Sequence, residues 1–225
     1  MLHEETVEAS TLALIRRLMA DENLVDFYLV GGTALSLKLG HRISIDIDLF
    51  IGKDFDSAVV CEHLKAVYGL TDEKTVKNGV FGFIDDVKVD FISHQYPLIK
   101  PVELTSGIRM LSLEDIGAMK LSAIVQNGSR VKDFVDVYSL LEKLPLGMLV
   151  KAYTDKYPQA SPQIAKTSLL YHQDIDFSVP IKLLDRKFDW DETSMRLSQA
   201  VHRPWITFED QQQQQSLRRR KGPRL

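Results

Sequence analysis

Residues 29–50, LVGGTALSLKLGHRISIDIDLF, decide the fold of this chain. A short apolar strand over residues 26–30 runs into Gly31-Gly32-Thr33, and residues 34–39 form a short helical run. Residues 43–51 then alternate apolar and polar side chains, which is the two-residue period of a strand. The stretch therefore predicts a strand, a glycine turn, a helix and a second strand, in that order.

The same periodicities predict the elements on either side of this stretch. The expected helices lie near residues 12–19, 55–68, 113–125, 131–144 and 190–201, and the expected strands cover 71–76, 80–84 and 87–93. Asn78-Gly79 is a strong hairpin signal between two of these strands. We expect an α/β half over residues 1–110, a helical half over 111–208 and a disordered Gln/Arg-rich tail over 209–225.

The composition is that of an ordinary soluble protein. Of the 225 residues, 44% are hydrophobic and 26% are charged, which excludes a disordered chain and a collagen-like fibre. Cys61 is the only cysteine, so no intrachain disulfide can form. No apolar stretch reaches the roughly 18 residues that span a bilayer, and the acidic N-terminus is unlike a signal peptide. We therefore expect a cytoplasmic protein with no membrane partner.

The charge is divided unevenly along the chain. The 28 basic and 31 acidic residues give a net charge of −3, but residues 211–225 contain five of the basic residues and no acid. The rest of the chain therefore carries 23 basic against 31 acidic residues, a net charge of −8. Such an acidic body argues against broad non-specific nucleic-acid binding. We expect the tail to add salt-sensitive RNA affinity at most.

Two features of the N-terminal half carry possible chemistry. Glycines at a helix start, here Gly31-Gly32 with Thr33, let a backbone approach a phosphate and offer free N–H groups, although most such pairs are simple turns. Asp46 and Asp48 are two apart on the predicted strand, so both carboxylates project from one face. Such a pair suits Mg²⁺ or is a solvated strand face.

Asp90 is a third acid, in the otherwise apolar run 87–92. If its strand pairs beside residues 43–51, the three carboxylates converge and can hold two Mg²⁺ for phosphoryl or nucleotidyl transfer. The alternative is an edge strand in which Asp90 points outward and pairs with Lys88.

Together these features resemble a known family. A glycine pair at a helix start, then Asp-x-Asp, then a lone Asp on a later strand is the pattern of the nucleotidyltransferase superfamily that includes DNA polymerase β. Residues 29–50, with His41-Arg42 and Ser44 ahead of the aspartates, resemble the signature of the AbiEii/AbiGii toxin family. A second block, LEDIGAMK over 113–120 and RVKDFVDVY over 130–138, resembles that family's helical motif.

The resemblance implies a fold and a set of roles. The fold is of the α/β (α+β) class, with a mixed nucleotidyltransferase sheet, flanking helices and a C-terminal helical domain. The implied residues share one cleft: metal-binding Asp46, Asp48 and Asp90; nucleotide-binding Gly31, Gly32, Thr33, Arg42 and Ser44; phosphate-binding Lys120; and Asp133, which positions groups. The implied ligands are a two-Mg²⁺ site and an NTP. The implied partners are an acceptor, either RNA such as tRNA or a protein, and a cognate antitoxin.

Two departures from the superfamily pattern alter these expectations. Many members have Gly-Ser where this chain has Gly31-Gly32, so Thr33 or backbone N–H groups must serve the phosphates. The helical motif usually has arginine where this chain has Lys132, which keeps the charge but loses the bidentate fork.

Lys120 can be interpreted in two ways. It lies in a mostly apolar helix, so its ammonium must reach a cleft, a carboxylate or water. It either binds a nucleotide phosphate or forms a salt bridge to Asp133 or Asp136 that joins two helices. Both interpretations predict that the three side chains cluster, because Asp133 and Asp136 share a helical face.

Other interpretations stay open. A degenerate member of the family would bind a nucleotide or a protein without catalysis. An Asp-x-Asp phosphatase is disfavoured because Leu49-Phe50 continue the strand where such enzymes have Gly-Thr. Phe81 and Phe83 in the predicted hairpin are expected to be packing residues rather than base-stacking residues.

Overall fold

The computed structural model describes residues 2–184 and 186–208. The basic tail at 211–225 lies outside these residues. The helices described are α1 (Ala9–Ala20), α2 (Gly31–Leu39), α3 (Ser57–Tyr68), α4 (Leu113–Gln126), α5 (Val131–Leu140), α6 (Leu146–Lys156), α7 (Pro162–Ser168) and α8 (Trp190–His202). The strands described are β1 (Tyr28–Leu29), β2 (Ile47–Ile51), β3 (Thr71–Val76), β4 (Gly79–Ile84), β5 (Val87–Ser93), β6 (Glu103–Thr105) and β7 (Ile108–Met110).

The strands form one mixed sheet of seven, which confirms the expected fold class. Their order is β3-β4-β5-β2-β1-β7-β6. β2 pairs in parallel with β5, and β1 pairs in parallel with β7. The other neighbours are antiparallel. The central strand β2 therefore lies directly beside β5, and β5 is not an edge strand.

Alternation along β2 sets which face of the sheet is buried. Ile47, Leu49 and Ile51 are buried in the core, whereas Asp48 and Phe50 project from the other face and are partly exposed. α3 packs beside β3 and β4, and α2 packs against α4 and α5 of the helical half. One continuous cluster of buried side chains runs through both halves. The division at residue 110 therefore marks a change from sheet to helices, and the two-domain description stays a prediction.

A buried ion pair fixes the start of the helical half. Lys156, at the end of α6, is fully buried and places its Nζ 2.8 Å from Asp115 Oδ1. Asp115, in the first turn of α4, also accepts the backbone N–H groups of Ile99 and Lys100. Burial alone would raise the pKa of Asp115, but these donors and Lys156 hold it below its ordinary value.

The predicted strand over 43–51 is shorter than expected. It begins at Ile47, and the residues before it are extended but bond elsewhere. The N–H of Ile43 donates to the carbonyl of Lys182, and that of Ser44 donates to Thr6, both far from β5 in sequence. Ile45 is consequently 54% exposed, against the alternation.

Three other boundaries differ from the prediction. α2 begins at Gly31, so the glycine pair forms its first turn rather than a separate loop. The segment before residue 111, expected as a connection, contains the β6–β7 hairpin. Its turn has positive φ at Ser106 and Gly107, and its strands of three residues are too short to show a period. α5 ends at Leu140 rather than at residue 144.

Within the described residues, no helix combines the length and apolarity that a membrane crossing requires.

Candidate active site

Two aspartates lie side by side on neighbouring strands at the centre of the sheet. The parallel register of β2 and β5 pairs Asp48 directly with Asp90. Paired residues on neighbouring strands project from the same face, about 4.8 Å apart at the backbone. Burial, and then the charge of Asp90, raise the pKa of Asp48 to about 6. The fold therefore holds two carboxylates close enough to repel each other.

The Asp90 carboxylate is only half satisfied. Lys88 Nζ lies 2.6 Å from its Oδ2, so the pairing with Lys88 considered from the sequence is present. Its Oδ1 is buried and has no hydrogen-bond partner among the described residues. Because β5 is internal to the sheet and Asp90 lies on the same face as Asp48, both residues line one cleft.

The third acid, Asp46, lines the same cleft but lies just before β2. No three His, Cys, Asp or Glu side chains of the described chain are gathered tightly enough to form a ready metal cluster. The donors nevertheless fit a hard cation. All three are carboxylates, which Mg²⁺ prefers, and Asp90 Oδ1 is a buried oxygen whose hydrogen-bonding capacity no described residue satisfies.

The glycine pair allows α2 to approach these acids. Gly31 has φ +68°, and a Cβ on it would overlap the Asp48 carboxylate. A Cβ on Gly32 would overlap the Arg42 guanidinium. No side chain caps the start of α2, so its first N–H groups are left to a ligand or to water. The helix N-terminus thus meets the cleft beside Asp48.

Thr33 lies deeper than its neighbours. Its buried hydroxyl donates to the backbone carbonyl of Asp46 and lies 2.9 Å from Ser44 Oγ. Both side chains therefore tie α2 to the segment before β2. Of the two alternatives, the Thr33 hydroxyl or backbone N–H groups, this geometry favours the backbone N–H groups, because the hydroxyl is already engaged.

A buried charge network joins the two halves behind the cleft. Asp136, fully buried on α5, receives Arg42 Nε at 2.7 Å and Arg42 Nη2 at 3.0 Å, in a bidentate pair. His41 Nε2 lies 2.8 Å from the same carboxylate. Burial would raise the pKa of Asp136, but Arg42 and Lys120 hold it well below its ordinary value. Arg42 is thus held by Asp136 at the edge of the cleft.

Lys120 belongs to both the network and the cleft. Its Nζ lies 2.7 Å from Asp133 Oδ1 and 2.7 Å from Asp136 Oδ2. The predicted cluster of Lys120 with both aspartates is therefore present. Burial opposes the charge of Lys120, yet Asp136 and then Asp133 raise its pKa, so the ammonium stays protonated. The salt bridge and a role in phosphate binding are compatible, because Lys120 also lines the cleft.

The cleft has a volume of about 630 Å³ and a mixed electrostatic lining. Three of its acids, Asp46, Asp48 and Asp90, lie on the sheet side, and Asp133 lies on the helical side beside Lys120. The basic residues that line it are Arg42, Lys88, Lys120, Arg130, Lys132 and Lys182. Such a division suits a metal-bound polyphosphate, which needs carboxylates for the cation and ammonium groups for the anion.

One wall of the cleft could not be predicted from the sequence. Asp176 donates its N–H to the carbonyl of Ser129, and Lys182 accepts from Ile43. The segment between these two points, residues 176–182, crosses the cleft, and Pro180 and Ile181 line it. It has no regular period, so only its contacts with distant parts of the chain reveal its position.

Comparison with known proteins identifies the family. The family model described as "Nucleotidyl transferase AbiEii toxin, Type IV TA system" matches residues 13–171. The chain belongs to this AbiEii nucleotidyltransferase toxin family. The match contains all the predicted site residues, and the resemblance read from the sequence is confirmed. The cleft-crossing segment 176–182 lies beyond it.

This AbiEii chain is similar to one further sequence and to two solved structures. The uncharacterized protein aq_aa25 of Aquifex aeolicus is 36% identical over 155 residues, covering 66% of this chain and 75% of the relative. The crystal structure of JHP933 from Helicobacter pylori has a TM-score of 0.52 at 21% identity, over 96% of this chain and 99% of that one. A candidate nucleotidyltransferase from H. pylori has a TM-score of 0.52 at 20% identity, over 89% and 92%. These two structures support the fold.

Proposed function

We propose that this AbiEii-family protein transfers a nucleoside monophosphate from an NTP to a hydroxyl acceptor, with Mg²⁺. The observation that carries the proposal is the pairing of Asp48 with Asp90 across β2 and β5, where burial and mutual repulsion favour a bound cation. The acceptor oxygen would attack the α-phosphorus, pyrophosphate would leave, and the hydroxyl proton would pass to a carboxylate.

Asp46, Asp48 and Asp90 would hold the metal ions. When bound, Mg²⁺ supplies Lewis-acid polarisation of the phosphate and neutralises charge on attacking and leaving oxygens. Asp90 would also accept the proton of the acceptor hydroxyl at its unpartnered Oδ1. Both roles of Asp90, metal binding and proton acceptance, need a carboxylate, and an amide would not serve.

The first turn of α2 would cradle the triphosphate. The backbone N–H groups of Gly31, Gly32 and Thr33 form the uncapped start of α2, and Gly31 lies against Asp48, so phosphate oxygens could reach both the helix N-terminus and a cation on the acids. Lys120, on the helical side, would contribute a fixed positive charge. In this proposal residues 1–110 supply the acids and residues 111–208 supply the opposing wall.

The biological setting follows from the family description. A toxin of a toxin–antitoxin system implies a cognate antitoxin, and inactivation of tRNA, another RNA or a protein by nucleotide addition would account for toxicity. We propose that the protein acts in the cytoplasm, where NTPs and these acceptors are present.

The direct test is to follow the nucleotide. The protein is incubated with Mg²⁺, total cellular RNA and protein, and each NTP in turn, labelled at the α-phosphate. We expect label to become covalently attached to one class of acceptor, with pyrophosphate released, and chelation by EDTA to stop it. NTP binding by calorimetry without pyrophosphate release would instead identify a degenerate binding module. In a parallel incubation with NTP labelled at the γ-phosphate, label trapped on Asp46 or Asp48 as an acyl phosphate would identify a phosphatase.

A further inference from the structure

The sheet face that carries Asp90 continues onto β4 and β3. In the antiparallel register Phe81 pairs with Asp90 and Phe83 pairs with Lys88, so these four side chains share one face. On the next strand Lys74 pairs with Phe81, which extends the same face outward. Asp90 is therefore the inner end of a surface that leads away from Asp48 toward the sheet edge.

This surface is open, whereas the opposite face is covered. Val80, Ile84 and Val89 point to the opposite face and are buried, on the side where α3 packs. On the Asp90 side, Phe83 is 39% exposed and Val76 is 44% exposed. The expectation that Phe83 is a packing residue therefore does not hold. Phe81 is only partly buried, and its ring lies against Gly79, where a Cβ would come within 3.0 Å of Phe81 Cε2.

The charges on this surface are basic around the aromatic pair. Lys74 and Lys88 flank Phe81 and Phe83 on the two neighbouring strands. Glu73, next to Lys74 in sequence, instead lies 3.0 Å from Lys65 of α3, on the covered side. Lys88 now neutralises Asp90, and a cation on that carboxylate would release its ammonium for another anion.

We propose that Lys74, Phe81, Phe83 and Lys88, here called the acceptor surface, bind a single-stranded RNA segment whose terminal hydroxyl reaches Asp90. Bases stack on the two phenylalanines and phosphates lie against the two lysines, which is how sheet surfaces hold single strands. The inference rests on the proposed function, since it takes Asp90 as the point of transfer.

The position of this surface favours the acceptor over the NTP. The triphosphate cradle at Gly31 lies on the β2 side of Asp90, and the acceptor surface lies on the opposite, β4 side. Acceptor and NTP would thus approach Asp90 and Asp48 from opposite directions. The occupant must also be anionic and carry flat apolar groups, because the surface pairs lysines with aromatic rings.

Binding of a fluorescein-labelled 12-nucleotide single-stranded RNA to the full chain, without NTP, tests the inference. The variants are Phe83→Ala and Lys74→Ala, both at exposed positions. The matched controls are Val67→Ala and Lys65→Ala on α3, on the covered side and also exposed. We expect Phe83→Ala to weaken binding by about fivefold or more. Lys74→Ala should lower the slope of log K against log salt by about 0.7.

Two further readouts separate this inference from the proposed function. NTP binding by calorimetry should be unchanged in Phe83→Ala and Lys74→Ala. The inference is overturned if these variants bind RNA as the α3 controls do, or if the unaltered protein does not bind the RNA. If the unaltered chain binds no RNA but transfers label to a protein acceptor, and Phe83→Ala reduces that transfer, the surface belongs to a protein acceptor instead. If the chain binds RNA in a way that depends on Phe83 but transfers no nucleotide, the acceptor surface is supported and the proposed function is wrong.

Discussion

At the scale of single residues, the site depends on close approach between groups that ordinarily repel or clash. Asp48 lies beside Asp90, and Gly31 lets the backbone of α2 press against Asp48. Asp46 and Asp48 could be grouped from their local spacing, whereas Asp90, 42 residues beyond Asp48, could be grouped with them only through the superfamily pattern. The pairing of Arg42 with Asp136 could not, because 94 residues separate them and no periodicity links them.

The contact between Gly31 and Asp48 can be measured with a matched pair of substitutions. Gly31 and Gly69 have nearly the same positive φ, 68° and 69°, but a Cβ at Gly69 meets nothing within 4 Å. Gly69→Ala should therefore cost only the left-handed backbone term, about 1–2 kcal/mol in the free energy of unfolding. Gly31→Ala should cost more and should also weaken Mg²⁺ binding, because Asp48 must move. Equal costs in urea unfolding would show that the Asp48 contact does not matter.

Because Asp48 and Asp90 repel each other, removing one of the two charges should stabilise the fold and abolish the function. Asp48→Asn removes one of two neighbouring charges, so without metal it should raise the thermal midpoint by about 2–4 °C, equivalent to roughly 1 kcal/mol. The same variant should lose nucleotidyl transfer. Differential scanning calorimetry in EDTA makes the measurement, and Mg²⁺ should stabilise the unaltered protein but not the variant. A variant less stable in EDTA would contradict this reading of the pair.

At the scale of elements, the helical half is held to the sheet by buried charges as well as by apolar packing. α4 and α5 contribute Lys120 and Asp136, and the segment between α2 and β2 contributes Arg42. The long helices and central strands could be predicted from periodicity. The β6–β7 hairpin and the cleft-crossing segment at residues 176–182 could not, because short or irregular segments are fixed by long-range contacts rather than by their own pattern.

Removing the Asp136 carboxylate should destabilise the protein strongly. Asp136→Ala leaves buried Arg42 without its bidentate partner, so we expect a loss of about 3–5 kcal/mol. Asp155→Ala is the control, because Asp155 forms an exposed ion pair with Lys151 on α6 and should cost less than about 1 kcal/mol. Urea unfolding at neutral pH compares the two. Similar costs would mean that the buried network is not what joins α5 to the sheet.

The pH dependence of stability should show the same network. The folded-state pKa of Asp136 lies well below 3.8, so its stabilisation is complete above that value and is lost as the pH falls through the folded-state pKa. Asp136→Ala starts from a lower free energy of unfolding, so its acid unfolding should begin at a higher pH than that of the unaltered protein. Because the variant has no Asp136 contribution to lose, its free energy of unfolding should fall less steeply below pH 4.

At the scale of the whole molecule, three acids on the sheet side, Asp133 on the helical side and six basic residues line a single cleft within an acidic body. The family, the fold class and the order of the motifs could be predicted from the sequence, since they depend on local spacing over residues 29–138. The open face beyond Asp90 could not, because exposure of Phe83 depends on which side α3 covers. The protein therefore presents a site for a nucleotide and, as we propose, a separate approach for RNA.

The rate of nucleotidyl transfer by Asp90→Asn tests the central claim most directly. Label from an α-labelled NTP is followed into the acceptor with Mg²⁺, beside Asp86→Asn, which changes an exposed acid in the β4–β5 turn. Because Asp90 would both bind metal and accept the proton, we predict a loss of about 100-fold or more in Asp90→Asn and no loss in Asp86→Asn. Transfer by a folded Asp90→Asn at the rate of the unaltered protein would contradict the account.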